Sequence, residues 1–300
     1  MESLKQVLII SDGKKGHLNQ SIALATHLGY RYDILEVHFK SKWHKMVSYI
    51  FDKFFIYTDF LFVSKEVMSS YDIVVGAGSG TYYAVRVFAK KNQVKSITMM
   101  LPRGYRYDFD TIFAQAHDNP PKQKNIIEIP ANFSFAIPAS IYKPQKRSIG
   151  VVIGGNNKIL TINSNVLKKQ LDFIVANFKG YEIAVTTSPR TPREIENLIQ
   201  SYHFDYEVIY SQNPINPIPD FVEHCETLFI TSDSTSMISE AISAGESNVV
   251  ILPVDGMDGS KFEILLLGLA RGGYLHIFDG TLESKNKKID FKEYLKGLDL

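Results

Sequence analysis

Thr227-Leu228-Phe229-Ile230-Thr231-Ser232-Asp233-Ser234-Thr235-Ser236-Met237-Ile238-Ser239-Glu240 carries a strand, a polar turn and the start of a helix in one pass. Its first five residues are β-branched, aromatic or leucine, the make-up of a buried strand. The next five are Ser, Asp and Thr, the residues that cap helix N-termini, and Met237 and Ile238 resume the apolar pattern. The same unit recurs on both sides. Strands are predicted at 148–153, 182–187, 207–210, 227–231 and 248–253, with helices at about 163–178, 192–202, 216–225, 235–244 and 260–270. The first half repeats the alternation with strands at 6–11, 33–39, 72–76 and 96–101. Strands alternating with helices predict parallel sheets in an α/β architecture. Two such series, separated by a Pro- and Lys-bearing connector near 138–147, predict two Rossmann-like domains, 1–145 and 146–280. A tail, 281–300, follows, whose helical piece at about 291–298 is placed to cross back over the first domain.

The chain has 300 residues, 45% of them hydrophobic and 22% charged, which excludes disorder as its dominant state. A single cysteine, Cys225, excludes a disulfide scaffold and a cysteine-rich metal site. No apolar run approaches the ~18 residues of a membrane span, and the apolar stretch at 7–10 is too short for a secretory signal. These features predict a cytoplasmic protein. Residues 1–150 carry 20 Lys and Arg against 12 Asp and Glu, a net +8, whereas 151–300 carry 13 against 20, a net −7. A basic half suits an anionic lipid or acceptor. Without a clustered basic stripe or an RNA-binding aromatic signature, nucleic acid is not expected as a partner.

Residues 38–65 stand apart, with His38, Lys40, Lys42, Trp43, His44 and Lys45 followed by ten aromatic or aliphatic residues from Tyr49 to Phe62. Basic and aromatic residues together mark either a segment lying peripherally on the inner face of a membrane or a core helix hairpin with its lysines on the wet side.

Polar, glycine-bearing turns follow several strands. Ser11-Asp12-Gly13-Lys14-Lys15-Gly16-His17 opens the first helix, where backbone N–H groups and the helix dipole favour an anion. The spacing matches neither Gly-x-Gly-x-x-Gly nor a P-loop. His17 has the chemistry of a general base; Asp12 either orients it or takes the proton itself. A helix cap on a tight turn accounts for the same residues. Gly76-Ala77-Gly78-Ser79-Gly80-Thr81 is a second such turn, and two at strand ends of one doubly wound sheet face one crevice. Arg103 suits a carboxylate or phosphate, and His117 with Asp118 offers a further acid–base pair, of which a strand would aim only one inward. Lys14, Lys15, Gly16, Gly78, Ser79, Arg103 and His117 thus form an acceptor side. In the second half, Gly154-Gly155-Asn156, Thr187-Ser188 with Arg190, and Ser232-Asp233-Ser234 with Ser236 and Met237 end three strands. They suit a diphosphate, with Glu240 accepting the hydroxyls of a ribose. Capping explains one or two of these residues but not polar turns at three strand ends. No metal-ligand pattern accompanies them, so neither metal nor cofactor is expected; the nucleotide sugar is substrate.

The ordered motifs Ser11–Gln20, Pro102-Arg103, Phe109-Asp110, His117-Asp118, Gly154-Gly155, Thr187-Ser188-x-Arg190, Asn213-Pro214, Thr231 to Glu240 and Lys261-Phe262 resemble the mitochondrial-fission Elm-type family and its bacterial relatives, over about residues 5–270. The layout is similar to the GT-B glycosyltransferases, two Rossmann-like domains facing a cleft. That resemblance implies metal-independent transfer from a nucleoside-diphosphate sugar to a glycan, lipid-linked or cell-envelope acceptor. In the architecturally similar lipid-linked peptidoglycan N-acetylglucosaminyltransferase, a Gly-rich turn carries a His and a donor-domain Glu binds ribose. The resemblance puts His17 and Glu240 in those places, with Asp12 and Asp118 as rival bases. Lys14-Lys15 departs from the small residues of that enzyme, which implies a different, anionic acceptor. Two other classes fit less well: a non-hydrolysing sugar-nucleotide epimerase, which needs more carboxylates around the sugar, and a non-catalytic membrane-associated adaptor.

Overall fold

A computed structural model describes residues 5–65, 70–282 and 285–298; the first four residues and parts of the 281–300 tail lie outside the described residues. It divides into two compact units, one running to Ser134 and taking in the chain from Asp290 on, the other spanning Phe135–Ile289.

In chain order the first unit contains β1 (Gln6–Ser11), α1 (Lys15–Leu28), β2 (Arg31–Glu36), β3 (His38–Phe39), α2 (Lys42–Lys53), β4 (Phe62–Val63), β5 (Ile73–Gly76), α3 (Tyr82–Asn92), β6 (Lys95–Thr98), β7 (Thr111–Gln115) and β8 (Ile126–Ile129). Its sheet has the order β2-β1-β5-β6-β7-β8, and every pairing in it is parallel. The central strands are apolar and buried on both faces, as strands covered by helices on both sides must be. The strand expected over 33–39 is broken. Val37 is buried and its N–H bonds to Ser11, after which β3 leaves the sheet to pair antiparallel with β4. His117 and Asp118 are not on a strand either; they lie in a 3-10 turn, Ala116–Asp118.

The second unit contains β9 (Ser148–Ile153), α4 (Ser164–Asn177), β10 (Glu182–Thr187), α5 (Arg193–Gln200), β11 (Tyr206–Val208), α6 (Ile218–His224), β12 (Thr227–Thr231), α7 (Thr235–Ser243), β13 (Asn248–Leu252), α8 (Lys261–Arg271) and β14 (His276–Ile277). The order is β11-β10-β9-β12-β13-β14, again all parallel. Both units are doubly wound α/β folds.

The boundary read at 145 falls inside the second unit because the connector packs there. Asp220 of α6 accepts hydrogen bonds from the backbone N–H groups of Ser140, Ile141 and Tyr142 at 3.0, 2.9 and 3.2 Å. Tyr142 packs edge-on against Phe221. At the other end, Phe291 stacks on Phe133 at 4.5 Å and meets His27 of α1, which joins the chain from Asp290 to the first unit.

Candidate active site

In an open parallel sheet, ligands bind beyond the carboxyl ends of the strands where the winding direction reverses. In the first unit that reversal lies between β1 and β5, neighbours in register from Val7↔Ile73 to Ile10↔Gly76. The two glycine-bearing turns leave these two strands and meet. Gly13 takes a φ of +79°, and the turn brings Nδ1 of His17 to 3.1 Å from both carboxylate oxygens of Asp12. Lys14 Nζ lies 3.0 Å from Asp12. The second turn closes over this pair. A Cβ on Gly78 would fall 2.2 Å from the His17 ring, and one on Gly80 would fall 2.8 Å from Asp12. Only glycine permits that approach. Burial on its own would raise the Asp12 carboxyl, but hydrogen bonds and charge from Lys14 and His17 outweigh it and hold the group below its ordinary range.

Ser79 Oγ accepts a hydrogen bond from Lys45 Nζ of α2 at 2.9 Å. Burial and the charge of Lys14 hold the Lys45 ammonium below the usual lysine range, against the opposing pull of Asp12. Lys45 was not singled out in the sequence as a site residue. The signal that finds it is its spacing, Lys45, Ser48 and Asp52 recurring on one side of a helix. Arg103 Nη2 binds the Asp118 carboxylate and carbonyl at 3.1 and 3.0 Å, so both residues already have a partner. The Tyr82 hydroxyl is raised first by burial, against a bond to Gly78, and then by the charges of Asp118 and Asp12, which puts both carboxylates within its electrostatic reach. His117 is half-buried beside Asp118, and Lys15 and Gly16 are exposed at the start of α1.

The reversal in the second unit lies between β9 and β12. There Asp233, fully buried, ties three strand ends together. Its carboxylate accepts from Thr231 Oγ1 at 2.7 Å, from the Gly155 N–H at 2.9 Å and from Arg190 Nη2 at 3.0 Å. A Cβ on Gly154 would lie 2.1 Å from that carboxylate, and one on Gly155 would strike the Arg190 carbonyl at the same distance. Several hydroxyls expected to face a ligand also brace the scaffold. Thr187 Oγ1 accepts from Tyr210 N–H at 2.8 Å, Ser188 Oγ from Arg190 N–H at 3.2 Å, and Ser232 Oγ from Val254 N–H at 3.2 Å. Asn156 Oδ1 likewise accepts from Ile162 N–H at 2.8 Å. These bonds satisfy backbone N–H groups at the strand ends.

What remains open is the start of α7. Ser234 stands at its N-cap without a side-chain cap bond, no acidic residue occupies the first turn, and Ser236 is exposed with Met237 half-buried beside it. The first-turn N–H groups have no partner within the helix. Glu240 lies farther along α7, partly buried, and among the described residues its carboxylate makes no hydrogen bond or ion pair. Burial raises it from 4.5 to about 7. Among the described residues, no group of three or more His, Cys, Asp and Glu is placed to hold a metal ion.

The family model of mitochondrial fission ELM1 matches residues 15–294. An uncharacterized protein of Rickettsia prowazekii (strain Madrid E) is 24% identical, over 92% of this chain and 91% of its own length. Among solved structures, a candidate UDP-N-acetylglucosamine 2-epimerase from Listeria monocytogenes superposes with a TM-score of 0.51 at 11% identity, covering 98% of this chain and 86% of its own. MurG of Acinetobacter baumannii aligns with a TM-score of 0.49 at 12% identity, over 91% of this chain and 85% of its own. The fold, two doubly wound α/β units in one chain, is thus the one seen in that epimerase structure.

Proposed function

The chain belongs to the mitochondrial fission ELM1 family, and we propose that it is a glycosyltransferase taking a sugar from a nucleoside diphosphate to a hydroxyl acceptor. The observation that carries this reading is Glu240: a carboxylate raised to about 7 by burial, without a partner, behind the open N-terminus of α7. A partly buried carboxylate with no protein partner keeps its oxygens free to accept hydrogen bonds from a ligand. Two ribose hydroxyls match its two oxygens. The diphosphate then lies at the first turn of α7, where unpaired N–H groups and the helix dipole receive negative charge, with Gly154, Gly155 and Arg190 beside it.

Transfer forms a bond from the acceptor oxygen to the anomeric carbon and breaks the bond from that carbon to the diphosphate. The leaving diphosphate takes its charge to the N-terminus of α7, and a metal is not required for that. In an inverting course the acceptor proton goes to Nε2 of His17, since Nδ1 is engaged by Asp12. The acceptor is a glycan, lipid-linked or cell-envelope hydroxyl.

Calorimetric titration of a panel of nucleoside diphosphates, with and without chelator, tests the reading. Binding of at least one, unaffected by chelator and weakened in Glu240→Ala, is expected. Absence of any binding, or its loss to chelator, overturns it. Incubating a bound nucleotide sugar without acceptor separates the neighbouring chemistry: an epimerised sugar nucleotide makes the protein an epimerase, whereas slow hydrolysis or no change is the transferase outcome.

A further inference from the structure

Helix α2 packs Val47, Tyr49 and Phe51 against the core, yet leaves a second apolar face in water. On its inner side Ser48 and Asp52, one turn apart, are fully buried. Ser48 Oγ lies 2.9 Å from the Tyr105 hydroxyl, while Asp52 pairs with Arg86 at 2.8 Å and accepts from the Arg106 backbone N–H at 2.8 Å. On its outer side Trp43, Met46, Ile50 and the C-cap Phe54 recur at helical spacing and are 74%, 56%, 54% and 71% exposed. A surface helix of a water-facing protein has the opposite arrangement. The expectation of a core hairpin with its lysines on the wet side holds in part: Leu61 and Phe62 are in the core with Val47, Tyr49, Phe51 and Tyr57 packed against it, but a second apolar face is left in water. Phe60, 64% exposed, extends the face, with Lys40 Nζ 4.3 Å over its ring.

Cations rim this apolar face. Lys42 and Lys53 are exposed on α2 itself, and Lys40 sits at Phe60. The half of the chain that carries α2 has a net charge of +8. Tryptophan, long aliphatic side chains and flanking lysines on one helix face complement an anionic lipid surface. Among the described residues no helix is long and apolar enough to cross a membrane, so the contact is peripheral. The inner side of the same helix reaches the candidate site through Lys45, which Ser79 holds at 2.9 Å. Among the described residues Lys45 forms no ion pair, and Lys14 adds a second cation close by.

We propose that α2 docks the chain on an anionic bilayer through its Trp43–Met46–Ile50–Phe54 face, and that Lys45 on its inner side meets the phosphate of a lipid-carried acceptor. The second half of the proposal rests on the transferase reading.

Sedimentation of the full chain with vesicles tests it. Vesicles of phosphatidylcholine mixed with phosphatidylglycerol are expected to bind about tenfold or more tightly than phosphatidylcholine alone, falling with salt. The double variants Trp43→Ser/Ile50→Ser and Lys42→Glu/Lys53→Glu are each expected to lose that binding about tenfold, with unchanged circular dichroism and nucleoside diphosphate titration. Equal binding to both vesicles, no binding by the parent chain, or undiminished binding by folded variants overturns docking. So does an oligomer dispersed by Trp43→Ser/Ile50→Ser in a chain that ignores vesicles, which would make the face a protein interface. For Lys45, vesicles doped with a polyprenyl phosphate are expected to bind more tightly than phosphatidylglycerol vesicles of matched charge, an increment lost in Lys45→Ala. No increment, or one that survives the substitution, overturns that half. Vesicle binding without nucleotide binding sinks the transferase reading and leaves docking intact; the reverse result sinks docking alone.

Discussion

Both carboxylate oxygens of Asp12 lie 3.1 Å from Nδ1 of His17, across the turn that joins β1 to α1. A carboxylate so placed fixes which imidazole nitrogen carries the proton, leaving Nε2 as the acceptor. His17→Ala is therefore expected to lower the transfer rate by ~10²–10⁴ while donor affinity stays within a few fold. Asp12→Asn keeps the shape but removes the carboxylate that holds His17 Nδ1, so its loss should appear in kcat. Steady-state kinetics, with the nucleotide affinity measured separately, checks both. Normal turnover by His17→Ala beside an inactive Asp12→Asn would move the base to Asp12.

Gly78 offers a sharper test because it acts on His17 without touching its chemistry. An alanine there would put Cβ 2.2 Å from the ring, at a φ of +83°. Gly29, the left-handed C-cap of α1 at φ +70°, has nothing within 4 Å of its virtual Cβ. Both substitutions strain the backbone, at a cost of about 1 kcal/mol or more. Gly78→Ala should also displace the imidazole and lose transfer, whereas Gly29→Ala should lose stability alone. Thermal melts paired with activity measurements separate the two. Equal activity in both variants would mean that the second turn does not position His17.

Asp233 predicts a loss of a different kind. Removing its carboxylate leaves the Gly155 N–H and the Thr231 hydroxyl, both buried, without their acceptor. At ~1–3 kcal/mol for each unsatisfied buried group, Asp233→Ala should lower unfolding stability by roughly 2–6 kcal/mol. The Arg190 pair adds little, because that guanidinium is 43% exposed. Urea denaturation should show a lower midpoint with an unchanged slope. Stability within about 0.5 kcal/mol of the parent would mean that the three strand ends are held together by something else.

The alternation of apolar runs and helical spacing was enough to read the second sheet closely. Strands expected at 148–153, 182–187 and 227–231 have those bounds in the structure. Buried parallel strands have an unambiguous composition, and their ends are marked by glycine or hydroxyl residues. The roles of those end residues were less legible. Nothing in Thr187, Ser188 or Ser232 as letters tells which of them satisfies a neighbouring N–H; that lies in partners 2 to 23 positions away, Tyr210 and Val254 among them. The β3–β4 ribbon was hidden because two-residue strands carry no periodicity. Helix α2 admits two readings for a related reason: spacing shows that it has apolar residues, but not which of them the fold buries.

Glu240 gives the prediction with the clearest sign. Its carboxyl stands at about 7 in the folded chain against an ordinary 4.5. A carboxyl raised in this way favours the folded state only while protonated, so its contribution is intact below about 4.5 and is lost as pH climbs through about 7. Above that, the buried anion costs on the order of 2–3 kcal/mol, discounted for its partial exposure. Glu240→Gln should therefore melt like the parent near pH 4 and above it near pH 8. Binding runs the opposite way. Ribose hydroxyls donate to the anion, so nucleotide affinity should rise with pH toward about 7 and level off, with a proton released on binding in the more acid range. Calorimetry in buffers of different ionisation heat reads that proton directly. Glu240→Gln should bind more weakly, with no pH dependence and no proton released. If the variant gains stability at pH 8 but keeps the parent's pH-dependent binding, Glu240 is a buried carboxylate that the nucleotide never meets. The donor site would then have to be sought at strand ends other than that of β12.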